Sequence, residues 1–358
     1  MESMKRMNQV LHVNLLSWFE LYKRDLSFRK NKDPYRIWVS EIMLQQTRVN
    51  HMLPIYEKFM ERFPNISTLA NSNEDQVFSY WKGLGYYSRA INLWKGAKLI
   101  LEKYNGIFPN TLENALKIPG VGAYTSRAVL SIAFNQPQAV LDGNVKRVLA
   151  RFYNFSESID SPKSNKHLQI LADGFLNRKN PAAHNQAMME LGSLVCKINP
   201  ECKLCPLNMG CKAYSLGLEK KLPVTTKDKK KVPIHLNFVL LKKGNDLLIC
   251  KYKERRFFKK IFTLPFFITS DSLKAEYMDN TNLGIFLNKF NKTASIQNFG
   301  KHSITHHDIQ LYFTELQFDR KILPSLEDSR IEYKWIDKNN LESEFPSSIA
   351  KKLLKVIQ

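Results

Sequence analysis

The hydrophobic period of this chain changes once, and the change divides it. From Leu11 to about Tyr214, apolar residues return at helical spacing, as along Trp38, Ile42 and Val49, with Gln45 at the position between, and again at Val129, Ile132 and Ala133. That is helix spacing. Breaks are expected at Pro34, Pro54, Pro64, Gly83, Gly85, Pro109, Pro119, Pro137 and Pro162, where backbone chemistry punctuates a helix. After a basic, proline-bounded stretch the pattern alternates. Residues 234–241 and 247–252 flank Lys242-Lys243-Gly244-Asn245-Asp246 as a hairpin, residues 310–316 and 332–335 read as further strands, and 347–356 as a helix. The expected architecture is therefore a mainly α unit over 1–218, an exposed basic linker over 219–233, and a smaller α+β unit over 234–358. No internal repeat or low-complexity tract interrupts it.

Charge narrows the function. Among 358 residues, Lys and Arg number 54 against 33 Asp and Glu, a net of +21. Such a field attracts a polyanion and makes its binding salt-dependent, although ribosomal and membrane-surface proteins share the excess. No early segment joins a basic start to a long apolar run, and no apolar stretch is long enough to span a bilayer. The expectation is a cytoplasmic chain without a membrane partner, nucleoid-associated if bacterial. In a reducing compartment closely spaced cysteines suggest a metal site rather than disulfides. Cys196, Cys202, Cys205 and Cys211 follow a C-x5-C-x2-C-x5-C spacing, which suits a [4Fe–4S] cluster or tetrahedral zinc; buried structural thiols are the plainer alternative. Cys250 stands apart in an expected strand and reads as a core residue.

Two local patterns carry chemistry. Ile118-Pro119-Gly120-Val121-Gly122-Ala123-Tyr124-Thr125 lies between two helical segments. Gly120 and Gly122 allow a tight turn and leave amides uncovered, so that, with the following helix start, they form a cradle for a phosphate. A helix-hairpin-helix would grip the DNA backbone this way without reading sequence. Glu41, in the helical phrase 40–47, has largely apolar neighbours, whereas Asp142 opens a helix rich in positive groups. Cleaving an N-glycosidic bond needs a proton for the leaving base and an anion beside the sugar cation. Burial would hold Glu41 protonated for the first task, and Asn144 with the helix N-terminus would keep Asp142 ionised for the second. Taken singly, Asp142 reads equally as an N-cap and Glu41 as a solvated helix residue.

The phrases SEIMLQQTRV (40–49), GLGYYSRA (83–90), IPGVGAYT (118–125), LDGNVKRVLARFY (141–153) and NQAMMELG (185–192) together resemble the MutY-type adenine DNA glycosylases of the helix-hairpin-helix superfamily, tightly over 11–215 and loosely beyond. The resemblance implies a two-lobed helical glycosylase with an iron–sulfur region, then a MutT-like α+β domain. It implies Glu41 as proton donor to adenine N7 and Asp142 as cation stabiliser. Gln46 and Tyr86 would insert into the duplex, and Gln186 and Arg29 would touch the flipped adenine. Tyr124 stands where bifunctional relatives resembling endonuclease III hold a lysine; without an amine, imine chemistry is closed there. Base removal without efficient strand cleavage follows. The cluster spacing departs from the family's by one residue in its first gap. Thr305 and His306 match the loop that reads the base opposite adenine, and no acidic pyrophosphatase box is visible. The implied partner is double-stranded DNA with A:8-oxoguanine or A:G, bound by a monomer. A thymine or uracil mismatch glycosylase, or an endonuclease III-like glycosylase/AP lyase, is the alternative.

Overall fold

The computed structural model describes residues 2–226, 231–253, 257–258, 261–269, 296–304, 307–317, 330–345 and 347–357. It divides into two compact units, Met1–Lys227 and Asp228–Gln358. Among the described residues no helix is long and apolar enough to cross a membrane.

The first unit is helical, as its apolar period requires. Its first half comprises α1 (Glu2–Tyr22), α2 (Pro34–Leu44), α3 (Val49–Arg62), α4 (Ile66–Ala70), α5 (Glu74–Trp81) and α6 (Tyr87–Tyr104). There follow α7 (Leu112–Ala115), α8 (Ala123–Phe134), α9 (Gly143–Phe152), α10 (Pro162–Phe175), α11 (Pro181–Leu194) and α12 (Lys212–Ser215). Two groups form. Helices α2 to α8 pack on one another, while α1 returns across the sequence to lie on α11 beside α9, α10 and α12. The site lies where α2 and α8 of the first group face α9 and α11 of the second.

Proline placement explains three of the starts. Pro34, Pro162 and Pro181 each occupy the first turn of a helix, where a fixed φ helps and the missing N–H is not needed. Pro54 departs from expectation: it sits inside α3, whose apolar face buries Met52, Tyr56, Phe59 and Met60, so packing outweighs one lost backbone bond. The helix expected to continue through Thr47 stops earlier. It ends at Leu44, and Gln45 turns away before α3 begins at Val49.

Among the described residues, the second unit holds a seven-stranded sheet: β1 (Val232–Lys243), β2 (Asp246–Tyr252), β3 (Phe262–Thr263), β4 (Phe266–Thr269), β5 (Ile296–Ile304), β6 (His307–Gln317) and β7 (Ile331–Asp337). The path runs β3-β2-β1-β6-β5, with β4 also on β1 and β7 on β2. The expected hairpin closes at Lys243↔Asp246, but β1 also runs parallel to β6 from Val232↔His307 to Lys242↔Gln317. A C-terminal helix, α14 (Ser348–Leu354), follows the short α13 (Leu341–Glu344); it buries Ile349, Ala350 and Leu353 in the same apolar cluster as Phe238 and Phe313. Cys250 is buried in β2.

The stretch read as an exposed linker is partly docked on the first unit. Leu222 is buried and its carbonyl accepts from Arg151 Nε at 2.9 Å. Ile159 N donates to Val224 O at 2.9 Å, and Thr226 N donates to Asp160 at 3.0 Å. Val232 and Pro233 already belong to β1.

Candidate active site

Glu41 lies in the last turns of α2, a helix whose buried positions include Trp38, Val39 and Ile42. With 6% exposure, its carboxylate has little water, and burial pushes it up to about 7; the nearby Asp142 charge also raises it, while a hydrogen bond from Tyr124 and the charge of Arg29 oppose the rise. Tyr124, in the first turn of α8, donates its hydroxyl to Glu41 Oε2 and stands 3.4 Å from Met189 Sδ. Burial raises the phenol well above its ordinary value, so it remains a donor at any pH the protein meets.

Asp142 is the N-cap of α9. Its Oδ1 accepts from Val145 N at 2.7 Å and its Oδ2 from Asn144 Nδ2 at 3.1 Å. Burial raises this carboxyl above its ordinary value, while these contacts and the charge of Arg147 favour the anion against it. Asn144 is itself held, since its Oδ1 accepts from Arg147 Nη2 at 2.9 Å, and the same guanidinium reaches Gly192 O at 2.6 Å and, through Nε, Cys196 O at 2.7 Å. Gly192 permits this approach of α11 to α9. A Cβ there would lie 2.6 Å from Asn144 Cβ, inside any real contact.

Glu41, Tyr124, Asp142, Asn144, Arg29 and Gln186 line one cleft of about 1150 Å³, with Gln46 at its edge. Arg29 Nη2 donates to Glu190 Oε2 at 2.8 Å, and Arg24 meets the same carboxylate through Nε and Nη2 at 2.6 and 2.9 Å. The side chain of Glu190 is fully buried. Although burial opposes it, the two guanidiniums hold this carboxyl down at about 2. Gln186 makes one long contact, 3.4 Å to Ala182 O, which leaves its amide available to the cleft. Glu190, Arg24 and Arg147 escape sequence reasoning, although Glu190 lies inside the phrase 185–192; nothing in the period of α11 distinguishes a buried ion from a solvated one.

The hairpin between α7 and α8 has the backbone its glycines require. Gly120 has φ +79° and its missing Cβ would fall 2.8 Å from Asn92 Cβ. Gly122, the N-cap of α8, has nothing within 4 Å of where a Cβ would be, so the amides beyond it stay uncovered. Gln46 and Tyr86 both adopt left-handed backbone, at φ 57° and 48°, costly for a side chain with a Cβ. Both are exposed. Tyr86 caps α6 rather than lying in its interior. Thr305 and His306 lie outside the described residues.

The four clustered cysteines line one small pocket with Arg151 and Glu219. Arg151 Nη1 is 3.3 Å from Cys196 Sγ, and the same guanidinium donates to Lys197 O and Ile198 O. Burial pushes the Cys202 and Cys211 thiols up and that of Cys205 to about 12, with repulsion among the four adding to it. Among the described residues, no three His, Cys, Asp or Glu side chains gather around a point suited to a single metal ion.

Residues 39–173 match the family model described as HhH-GPD superfamily base excision DNA repair protein. The chain is 38% identical over 308 residues to the adenine DNA glycosylase of Buchnera aphidicola subsp. Baizongia pistaciae (strain Bp), covering 83% of each. It is 33% identical to that of Buchnera aphidicola subsp. Schizaphis graminum (strain Sg), over 94% of this chain and 96% of the relative. Among solved structures, a thermostable thymine-DNA glycosylase is similar at 26% identity and a TM-score of 0.55, over 60% of this chain and 99% of the other. With a site of two carboxylates in a helical cleft and this extent of likeness, the chain belongs to the adenine DNA glycosylase family.

Proposed function

We propose that this chain removes adenine from A:8-oxoguanine and A:G pairs in double-stranded DNA by hydrolysing the N-glycosidic bond, acting as a monomer in base excision repair. The observation that carries the reading is the asymmetry of the carboxylate pair. Asp142 accepts two hydrogen bonds at a helix N-terminus, whereas Glu41 accepts one from a neutral phenol and is pushed up by burial and by Asp142. One negative charge shared by two near carboxyls settles on the more strongly hydrogen-bonded site. Glu41 then holds a proton near neutral pH and gives it to N7 of the flipped adenine. The bond between the sugar and N9 breaks with its electrons on the base, Asp142 stabilises the oxocarbenium ion, and water adds to the sugar carbon as it gives a proton back to the Glu41 carboxylate.

Arg29 and Gln186 receive the extruded base, Gln46 and Tyr86 fill the gap it leaves, and the 118–125 hairpin takes a backbone phosphate on its amides. Thr305 and His306 are assigned to the base opposite adenine, by resemblance. Tyr124 has no amine, so the strand stays intact until alkali cleaves the abasic site. The four thiols share one small pocket, a donor set that suits a [4Fe–4S] cluster, and the family resemblance favours that cluster over zinc. Cys196, Cys202, Cys205 and Cys211 would hold it, and the cluster would supply a rigid four-thiolate brace for the loop after α11.

A second reading, a thymine or uracil mismatch glycosylase, draws on the likeness to the thymine-DNA glycosylase structure. Incubation with A:8-oxoguanine, T:G and U:G duplexes followed by alkali separates the two. Cleavage at adenine alone is expected; cleavage at T or U with adenine untouched overturns the proposal.

A further inference from the structure

Gln46 and Tyr86, both exposed and in left-handed backbone, sit on different loops, 40 positions apart in the chain, and one side chain touches both loops. Arg89, in the first turn of α6, donates Nη1 to Ile42 O at 2.9 Å, to Met43 O at 3.2 Å and to Gln45 O. Those carbonyls belong to the end of α2, where the helix leaves them without partners of its own. The other arm, Nη2, donates to Leu84 O at 3.1 Å and Gly85 O at 3.3 Å, and reaches Thr47 Oγ1 at 3.5 Å. The guanidinium also lies over the rings of Trp81 and Tyr86, at 5.6 and 5.5 Å. Trp81 in turn donates Nε1 to Gly85 O at 3.1 Å, and His51 Nε2 stands 3.0 Å from Gly83 O.

We propose that Arg89 is a positioning residue that locks the Gln46 and Tyr86 loops into one unit fixed to the end of the helix carrying Glu41, so that insertion into the duplex and presentation of the base to Glu41 occur in register. The inference rests on the reading of Gln46 and Tyr86 as the residues that enter the duplex. A planar fork is needed to serve carbonyls on both sides while stacking on two rings; a lysine ammonium supplies charge at one point and cannot bridge them. Residues that touch neither base nor sugar then affect the reaction through placement, and small misplacements are expensive in rate.

The test compares the full-length parent with Arg89→Lys and Arg89→Gln on two duplexes. In one, adenine is paired with 8-oxoguanine; in the other, the same adenine is an unpaired bulge that needs no wedge to leave the stack. Single-turnover excision on the paired duplex is expected to fall by on the order of tenfold to a hundredfold in both variants. On the bulged duplex it should fall by less than about threefold, because Glu41 and Asp142 are untouched. Equal losses on both duplexes would reduce Arg89 to fold maintenance and overturn the proposal, as would no loss on either. A second measurement does not depend on excision: fluorescence of 2-aminopurine placed beside the adenine reports insertion on binding, and its rise should be lost in Arg89→Lys. If the parent excises no adenine, the proposed function fails while the fluorescence still decides the role of Arg89. A Gln46→Ala, Tyr86→Ala double variant checks the premise separately: equal losses on paired and bulged duplexes would overturn the insertion reading on which the role of Arg89 rests.

Discussion

Replacing Glu41 by Gln should slow base excision by on the order of a hundredfold or more and, above neutral pH, make the first unit more stable. The carboxyl is 6% exposed and its ionisation is pushed from an ordinary 4.5 up to about 7. In the unfolded chain it ionises near 4.5. Between those two values the folded state binds the extra proton, so stability falls as pH rises, and it levels off above the folded value. The shift corresponds to about 3 kcal/mol once both states are ionised. Gln is nearly isosteric, accepts the Tyr124 hydroxyl and has nothing to titrate. Urea unfolding of parent and Glu41→Gln at pH 5 and pH 8, followed by tryptophan fluorescence (four of the five tryptophans lie in the first unit), measures the difference. The advantage of the variant should grow by roughly 2 to 3 kcal/mol from pH 5 to pH 8. A stability difference that does not change with pH would refute the claim that burial destabilises the Glu41 anion, and with it the reason for naming Glu41 the acid.

Other perturbations test neighbouring parts. Tyr124→Phe removes the hydrogen bond that holds Glu41 down, so the alkaline limb of the excision profile should move up by about one pH unit; an unmoved limb would mean that the phenol does not govern the proton. Gly192→Ala drives a methyl into Asn144 and should lower single-turnover excision by on the order of tenfold or more, with DNA affinity nearly unchanged. Glu190→Gln leaves Arg24 and Arg29 facing a neutral amide and should cost about 3 kcal/mol at pH 7. Because the Glu190 carboxyl is held near 2 instead of 4.5, that stabilisation should be present above pH 4.5 and fade toward pH 2; chemical denaturation across that window reads it. Purified protein should carry a brown chromophore that Cys205→Ser removes, whereas a colourless metal-bound protein would point to zinc.

How much of this was legible in the sequence depended on the range of the interaction. The hairpin at 118–125 could be read because its glycines answer local needs: Gly120 has φ +79° and no space for a Cβ. Asp142 as an N-cap is likewise a three-residue contact. The early end of α2 was hidden, since the carbonyls it exposes are satisfied by Arg89, more than 40 positions away. Glu190 and Arg24 meet across 166 positions, and periodicity carries no signal for a partner that distant. The parallel union of β1 and β6 was missed for the same reason: alternation marks a strand but not its neighbour. At Asp142 the sequence displays the donors that favour the anion but not the depth of burial, which raises the carboxyl against them.

The central claim is that a protonated Glu41 and an anionic Asp142 divide the work of breaking the bond to adenine. Single-turnover excision from an A:8-oxoguanine duplex by parent, Glu41→Gln and Asp142→Asn, at saturating enzyme, tests it most directly. Each variant should still bind the duplex and should lose activity by on the order of a hundredfold to ten-thousandfold. Excision at the parental rate by either variant would contradict the account.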